Sequence, residues 1–171
     1  MYFWISVGSN IEPEHNMGRA LEAISEIAPM WWLYPPAYTQ PIGIPTTACF
    51  INTVLVLYAP KTPDTLKTGF EQTEIRLGRD RDDPDSSRKD RVCDIDILAQ
   101  DAHFSLETQQ SIEEPYLQPV LQGVAPPAPV EVFDSGLPQR PSTVYLDGRT
   151  RHIRVLDNGP QPLIDWVETT F

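Results

Sequence analysis

Cys49-Phe50-Ile51-Asn52-Thr53-Val54-Leu55-Val56-Leu57-Tyr58 is the clearest strand in the chain, a run of β-branched, aliphatic and aromatic residues interrupted by one amide. A helix follows it. Thr62-Pro63 supplies an N-cap and a first-turn proline, Leu66, Phe70, Thr73 and Leu77 make an inner stripe, and Gly78 stops it. Working back, residues 30–38 read as extended, with Pro35-Pro36 marking an edge or a bulge, and residues 39–48 as a loop rich in Pro, Gly and Thr. Before them lie a strand at residues 2–8, a turn at Gly8-Ser9-Asn10, and a helix from near Pro13 with Met17, Ala20, Leu21, Ile24 and Ile27 on one face. Working forward, residues 79–91 form a basic loop and 92–99 another strand. The order strand, helix, strand, strand, helix, strand predicts an α+β, ferredoxin-like split βαβ sandwich. Its sheet is antiparallel-rich, with helices on one face and the other face free for a site.

Beyond residue 100 the patterns weaken. Short helices are expected near 116–123 and 160–168 and a short strand near 143–146, within a region that many of the eighteen prolines make irregular. Residues 1–171 are read as a single domain, with 137–171 a divergent tail packing on it. A net charge of −11 argues against nonspecific nucleic-acid binding. No apolar run approaches a bilayer span, and the first residues read as a strand and not as a leader. Cys49 and Cys93 show no CxxC spacing, which predicts a reducing, cytoplasmic setting. The expected partners are small molecules, with no nucleic acid and no membrane, and the chain a monomer or weak homo-oligomer.

Charge is unevenly spread. Of 13 Lys and Arg residues, six fall between Arg76 and Arg91, next to Asp80, Asp82, Asp83, Asp85 and Asp90. By itself this is a solvated, internally paired loop. It feeds directly into Asp94-Ile95-Asp96, however, and residues two apart on a strand share a face. The two carboxylates then stand about 6.5–7 Å apart at Cβ and repel unless a cation lies between them. Hard oxygen donors suit Mg²⁺, which takes one or two carboxylates and completes its shell with water and phosphate. Magnesium and guanidinium groups together clamp a transferring phosphoryl group. No Gly-x-x-x-x-Gly-Lys-Ser/Thr loop is present, so this is not a P-loop enzyme. His15, His103 and His152 have no ligand spacing and read as surface residues.

These residues resemble a known family. Val7-Gly8-Ser9-Asn10, Tyr38 with Pro41-Ile42-Gly43, Phe50-Ile51-Asn52, Glu74 with Leu77-Gly78-Arg79, and Arg91-Val92-Cys93-Asp94-Ile95-Asp96-Ile97-Leu98 occur in the order and spacing of 6-hydroxymethyl-7,8-dihydropterin pyrophosphokinases of folate biosynthesis. The likeness covers about residues 1–100. It implies transfer of diphosphate from ATP to the pterin hydroxymethyl group, releasing AMP. It further implies two Mg²⁺ ions on Asp94 and Asp96, with Arg79, Arg81 and Arg91 on the phosphates and Ile97 near the adenine. For the pterin it implies Phe50 stacking on the ring, Asn52 on its edge, and the Pro41-Ile42 loop closing over it. The catalytic set it implies is Asp94, Asp96, Arg79 and Arg91.

The chain also departs from that pattern. Where members usually carry Val-Pro-His and then a helix with an Arg and a Phe, this chain runs Glu113-Glu114-Pro115-Tyr116-Leu117-Gln118-Pro119. Tyr116 is the candidate replacement for the lost aromatic. The usual Trp-Gly-Pro-Arg run is Arg88-Lys89-Asp90-Arg91. The alternatives to an active pterin enzyme are a divergent diphosphotransferase with another acceptor and a non-catalytic nucleotide- or pterin-binding relative.

Overall fold

A computed structural model describes residues 1–171. The chain runs β1 (Tyr2–Ser9), α1 (Pro13–Ser25), β2 (Met30–Leu33), β3 (Ala37–Thr39), β4 (Phe50–Tyr58), α2 (Pro63–Leu77) and β5 (Asp94–Asp101). A 3₁₀ turn at Leu106–Ser111 and α3 (Gln118–Leu121) follow, then the small ribbon β6 (Glu131–Val132) and β7 (Ser135–Gly136). The chain finishes with β8 (Ser142–Asp147), β9 (His152–Asp157) and α4 (Gln161–Thr170). The main sheet has the order β5-β1-β4-β2-β8-β9, with β3 also on β4, and every pairing is antiparallel. Its first four positions, with α1 and α2, are the ferredoxin-like unit. No helix is long and apolar enough to cross a membrane.

Strand alternation sorts the core. Phe3, Ile5 and Val7 of β1 and Ile51, Leu55 and Leu57 of β4 face α1 and α2, where Met17, Leu21, Ile24, Leu66 and Phe70 meet them. Each such buried side chain contributes roughly 1.5–3 kcal/mol, against a few tenths for any helix-surface pair. Docking on the sheet, more than propensity, therefore holds these helices. The opposite face carries Tyr2, Trp4, Trp32, Tyr34, Val54 and Val56, and these are covered by Ile112, Leu117, Val120 and Leu121 and by Leu163 and Val167 of α4. The second face is thus free only at one end, where the alternation turns polar: Ser6, Gly8, Asn52, Asp94 and Asp96.

Pro35 and Pro36 split one edge into two. β2 pairs with Leu55–Leu57 of β4 and β3 with Phe50–Asn52, because the intervening prolines have no N–H to give the ladder. The strand expected from residue 92 begins at Asp94, opposite Gly8 near the end of β1. Val92 and Cys93 lie beyond the paired stretch of β1.

The C-terminal region is more regular than its prolines suggested. β8 pairs with β2, placing Val144 and Leu146 in the α1-side core, and β9 adds a further strand to β8. β9 escaped sequence reading because nearly all of its side chains are exposed, which leaves no burial alternation to see.

Candidate active site

Three strands bring the site together in one row. Asp94 of β5 is opposite Gly8 of β1, which is opposite Asn52 of β4, and Asp96 lies opposite Ser6 one step along. At a strand spacing near 4.8 Å, Asp94 and Asn52 stand about 9–10 Å apart, with only a glycine between them. A Cβ at Gly8 would lie 2.5 Å from Asn52 Oδ1. The Asn52 amide is fixed by donating from Nδ2 to Thr39 Oγ1 at 2.6 Å. Gly8→Ala is expected to push Asn52 off Thr39 and cost about 1–3 kcal/mol of stability by overpacking, read by urea denaturation. An unchanged midpoint would show that Asn52 is free to move.

Around this row lies a recess, open to solvent and lined also by Gln40, Ile42, Ile44, Phe50, Arg91 and Tyr116. Burial first, then the charges of Asp96 and Asp94, push the Tyr116 phenol up to about 12. It stays protonated and can donate. On the other side of β5 a groove is lined by Lys67, Glu71, Arg79, Arg81 and Ile97, and it too reaches Asp94 and Asp96. The carboxylate pair therefore borders two recesses.

The charged groups are tightly organised. Arg79 Nη1 donates to Asp94 Oδ1 at 2.5 Å and Arg91 Nη1 to Asp94 Oδ2 at 2.7 Å. Glu74 sits beneath them with its side chain 0% exposed. It pairs with Arg79 at 3.2 Å and Arg81 through both Nε and Nη2, and it accepts from the Ile95 N–H at 2.7 Å. Burial alone would raise Asp94, but Arg79 and Arg91 outweigh it and hold that carboxyl below its ordinary range. Asp96, whose side chain is exposed at the mouth of the recess, goes the other way: partial desolvation by the surrounding groups and then the charge of Asp94 push it up, and three guanidiniums only partly offset them.

Local sequence explains how the arginines arrive there. Gly78 takes a left-handed φ of 114° after α2, so that its N–H bonds to Ile75 O and the next N–H, that of Arg79, to Glu74 O. This turn aims Arg79 back at β5. Asn10, after β1, binds the far end of the basic loop: its N–H donates to Arg91 O, its Oδ1 accepts from Arg91 N, and its Nδ2 donates to Asp90 Oδ1. Burial pushes the Cys93 thiol up, away from thiolate chemistry.

Of the residues singled out in the sequence, Ile42, Phe50, Asn52, Tyr116, Arg91, Asp94 and Asp96 line one recess. Arg79, Arg81 and Ile97 line the groove across β5. Pro41 is half-buried in the same loop as Ile42 but does not line the recess. In the sequence Glu74 matches only as part of a motif and is given no role there. The signal was present, since a carboxylate directly after Thr73 stands on the buried stripe of α2 and must have partners there. Asn10 read only as turn chemistry, because its partner lies eighty residues away.

A ferredoxin-like sheet whose open end combines paired carboxylates with guanidinium groups defines a class of protein suited to handling phosphate. The chain belongs to the 7,8-dihydro-6-hydroxymethylpterin-pyrophosphokinase (HPPK) family, whose model matches residues 4–126. Membership brings a pyrophosphokinase reaction of folate biosynthesis, with ATP and Mg²⁺ as the family's general requirements. No curated protein matches the chain.

Proposed function

We propose that this chain transfers diphosphate from ATP to 6-hydroxymethyl-7,8-dihydropterin, giving AMP and the pterin diphosphate. The observation that carries the reading is the position of Asp94 and Asp96 between two recesses, each suited to one substrate. The recess with Phe50, Asn52, Ile42 and Tyr116 offers an aromatic face, an amide and a closing loop to a flat heterocycle. The groove with Arg79, Arg81 and Lys67 offers cations to a polyphosphate, and Ile97 an apolar contact to its base.

The donor set fits Mg²⁺. No three His, Cys, Asp or Glu side chains are placed to hold one metal ion together, and Glu74, the carboxylate beneath the pair, is taken up by Arg79 and Arg81. The protein therefore offers two carboxylates, the number Mg²⁺ typically takes, and not the closed cage of a structural zinc. Asp94 and Asp96 would hold two ions, which when bound neutralise phosphate charge on both sides of the transferred group. Arg79, Arg81 and Arg91 bind the phosphate oxygens and align the chain of phosphorus atoms. Asn52 and Phe50 orient the pterin so that its hydroxymethyl oxygen points across β5. A bond forms from that oxygen to the β-phosphorus, the bond from the β-phosphorus to the bridging oxygen breaks, and AMP leaves with the electron pair. The hydroxyl proton passes to solvent.

Incubation with ATP, Mg²⁺ and the hydroxymethyl-dihydropterin is expected to release AMP in proportion to pterin consumed. No AMP at millimolar substrates would overturn the reading. The second reading keeps the diphosphate transfer and changes the acceptor. It is favoured by Tyr116, which lines the recess from a segment unlike the family's usual one. AMP release with another hydroxymethyl heterocycle, and none with the pterin, would establish it.

A further inference from the structure

Six charges meet at the edge of β5, and they balance. Glu74, Asp94 and Asp96 supply the negative groups and Arg79, Arg81 and Arg91 the positive ones. Both oxygens of Asp94 are taken, one by each of two guanidiniums whose side chains are only 9% and 12% exposed. Asp96 forms no ion pair of its own. The Nε–H groups of Arg79 and Arg91 are buried and have no acceptor.

We infer that this is a closed electrostatic cluster in which Arg79 and Arg91 take the place of a cation on Asp94, so that divalent cation and polyphosphate bind with strong positive coupling and neither binds tightly alone. The inference rests on the reading of Asp94 and Asp96 as cation ligands. A dication arriving alone must take Asp94 from two guanidiniums, leaving Arg91 without a carboxylate and Arg79 with Glu74 alone, where water is scarce. A polyphosphate arriving alone draws the guanidiniums away and leaves two bare carboxylates facing an anion. When both arrive, the guanidiniums turn from Asp94 to phosphate oxygens, which also supply acceptors for the two unpartnered Nε–H groups. The carboxylates pass to the cation, and the sum of charge stays near balance. Each ligand then raises the affinity of the other by the same factor.

Because metal and pyrophosphate associate in solution, each is best tested alone. Calorimetric titration with Mn²⁺ only should show roughly tenfold tighter binding to Arg91→Gln than to wild type, since one Asp94 oxygen is released. Titration with inorganic pyrophosphate in excess chelator should show a comparable gain for Asp94→Asn, which frees Arg91 and leaves Arg79 held by Glu74 alone. If Arg91→Gln binds Mn²⁺ no tighter, or Asp94→Asn binds pyrophosphate no tighter, the exchange is wrong. Where a variant does not fold, the wild type gives the same answer by NMR. The Nε–H signals of Arg79 and Arg91 should stay in place with Mg²⁺ alone and shift when pyrophosphate joins it, and unmoved signals would overturn the coupling. These readouts need no turnover. A chain that shows the coupling but makes no AMP refutes the proposed reaction only, whereas no Mn²⁺ binding to any variant refutes the cation reading beneath both.

Discussion

Asp96→Ala is expected to lower AMP formation at saturating substrates about a thousandfold while leaving the fold as stable as before. Several kcal/mol of charge stabilisation by a bound cation is at stake, and about 4 kcal/mol corresponds to that factor. Stability should hold because Asp96 is exposed, has no ion pair to lose and is disfavoured as an anion by the neighbouring charge of Asp94. Removing it relieves a repulsion. Asp94→Ala should abolish turnover as completely but behave differently in a urea melt, because Arg79 and Arg91 lose the carboxylate that balances them. The contrast between the two aspartates is the informative part. Equal destabilisation by both would mean that Asp96 is structurally paired, and undiminished AMP release from Asp96→Ala would remove the proposed role of the pair.

Glu74→Ala should give the largest loss of stability of any single change at the site. The side chain is wholly buried and satisfies Arg79, Arg81 and the Ile95 N–H together. Breaking a buried pair by removing one partner costs about 3–5 kcal/mol, a large share of the 5–15 kcal/mol typical of a domain. Glu74→Gln keeps an oxygen for the Ile95 N–H but loses the charge, so it should fall between Glu74→Ala and wild type. Urea denaturation of the three proteins checks this order. A loss under about 1 kcal/mol for Glu74→Ala would show that the pairs behave as exposed ones and that Glu74 does not position Arg79. If the larger loss is seen, residual activity in Glu74→Gln should fall with Arg79 placement, visible as a weaker response to pyrophosphate.

Much of this molecule could be read along the chain. The two helices of the ferredoxin-like unit announce themselves through Thr62-Pro63, Gly78 and the stripes at Met17–Ile24 and Leu66–Leu77, because a helix buries one face at a fixed period. Asp94 and Asp96 could be placed on a common face for the same kind of reason. What strand and helix periods express is local, and it survives without knowledge of the partners.

The rest depended on which distant segments meet. That Gly8 is the floor between Asp94 and Asn52 follows from the registers of three strands, and register is decided by the whole buried face at once. That α3 and α4 cover most of the second sheet face, leaving only its polar end open, depends on which apolar residues beyond position 110 dock there, and no local period says where a helix docks. That β9 joins the sheet depends on backbone hydrogen bonds, to which its exposed side chains give no clue. Sequence alone determined the principal elements of the ferredoxin-like unit, their order and the two carboxylates on one face. Only the tertiary structure decided that those carboxylates stand between two recesses, paired to arginines that Glu74 holds from below. Pairing energies between charges depend on distance and burial, and neither is set until the chain has folded back on itself.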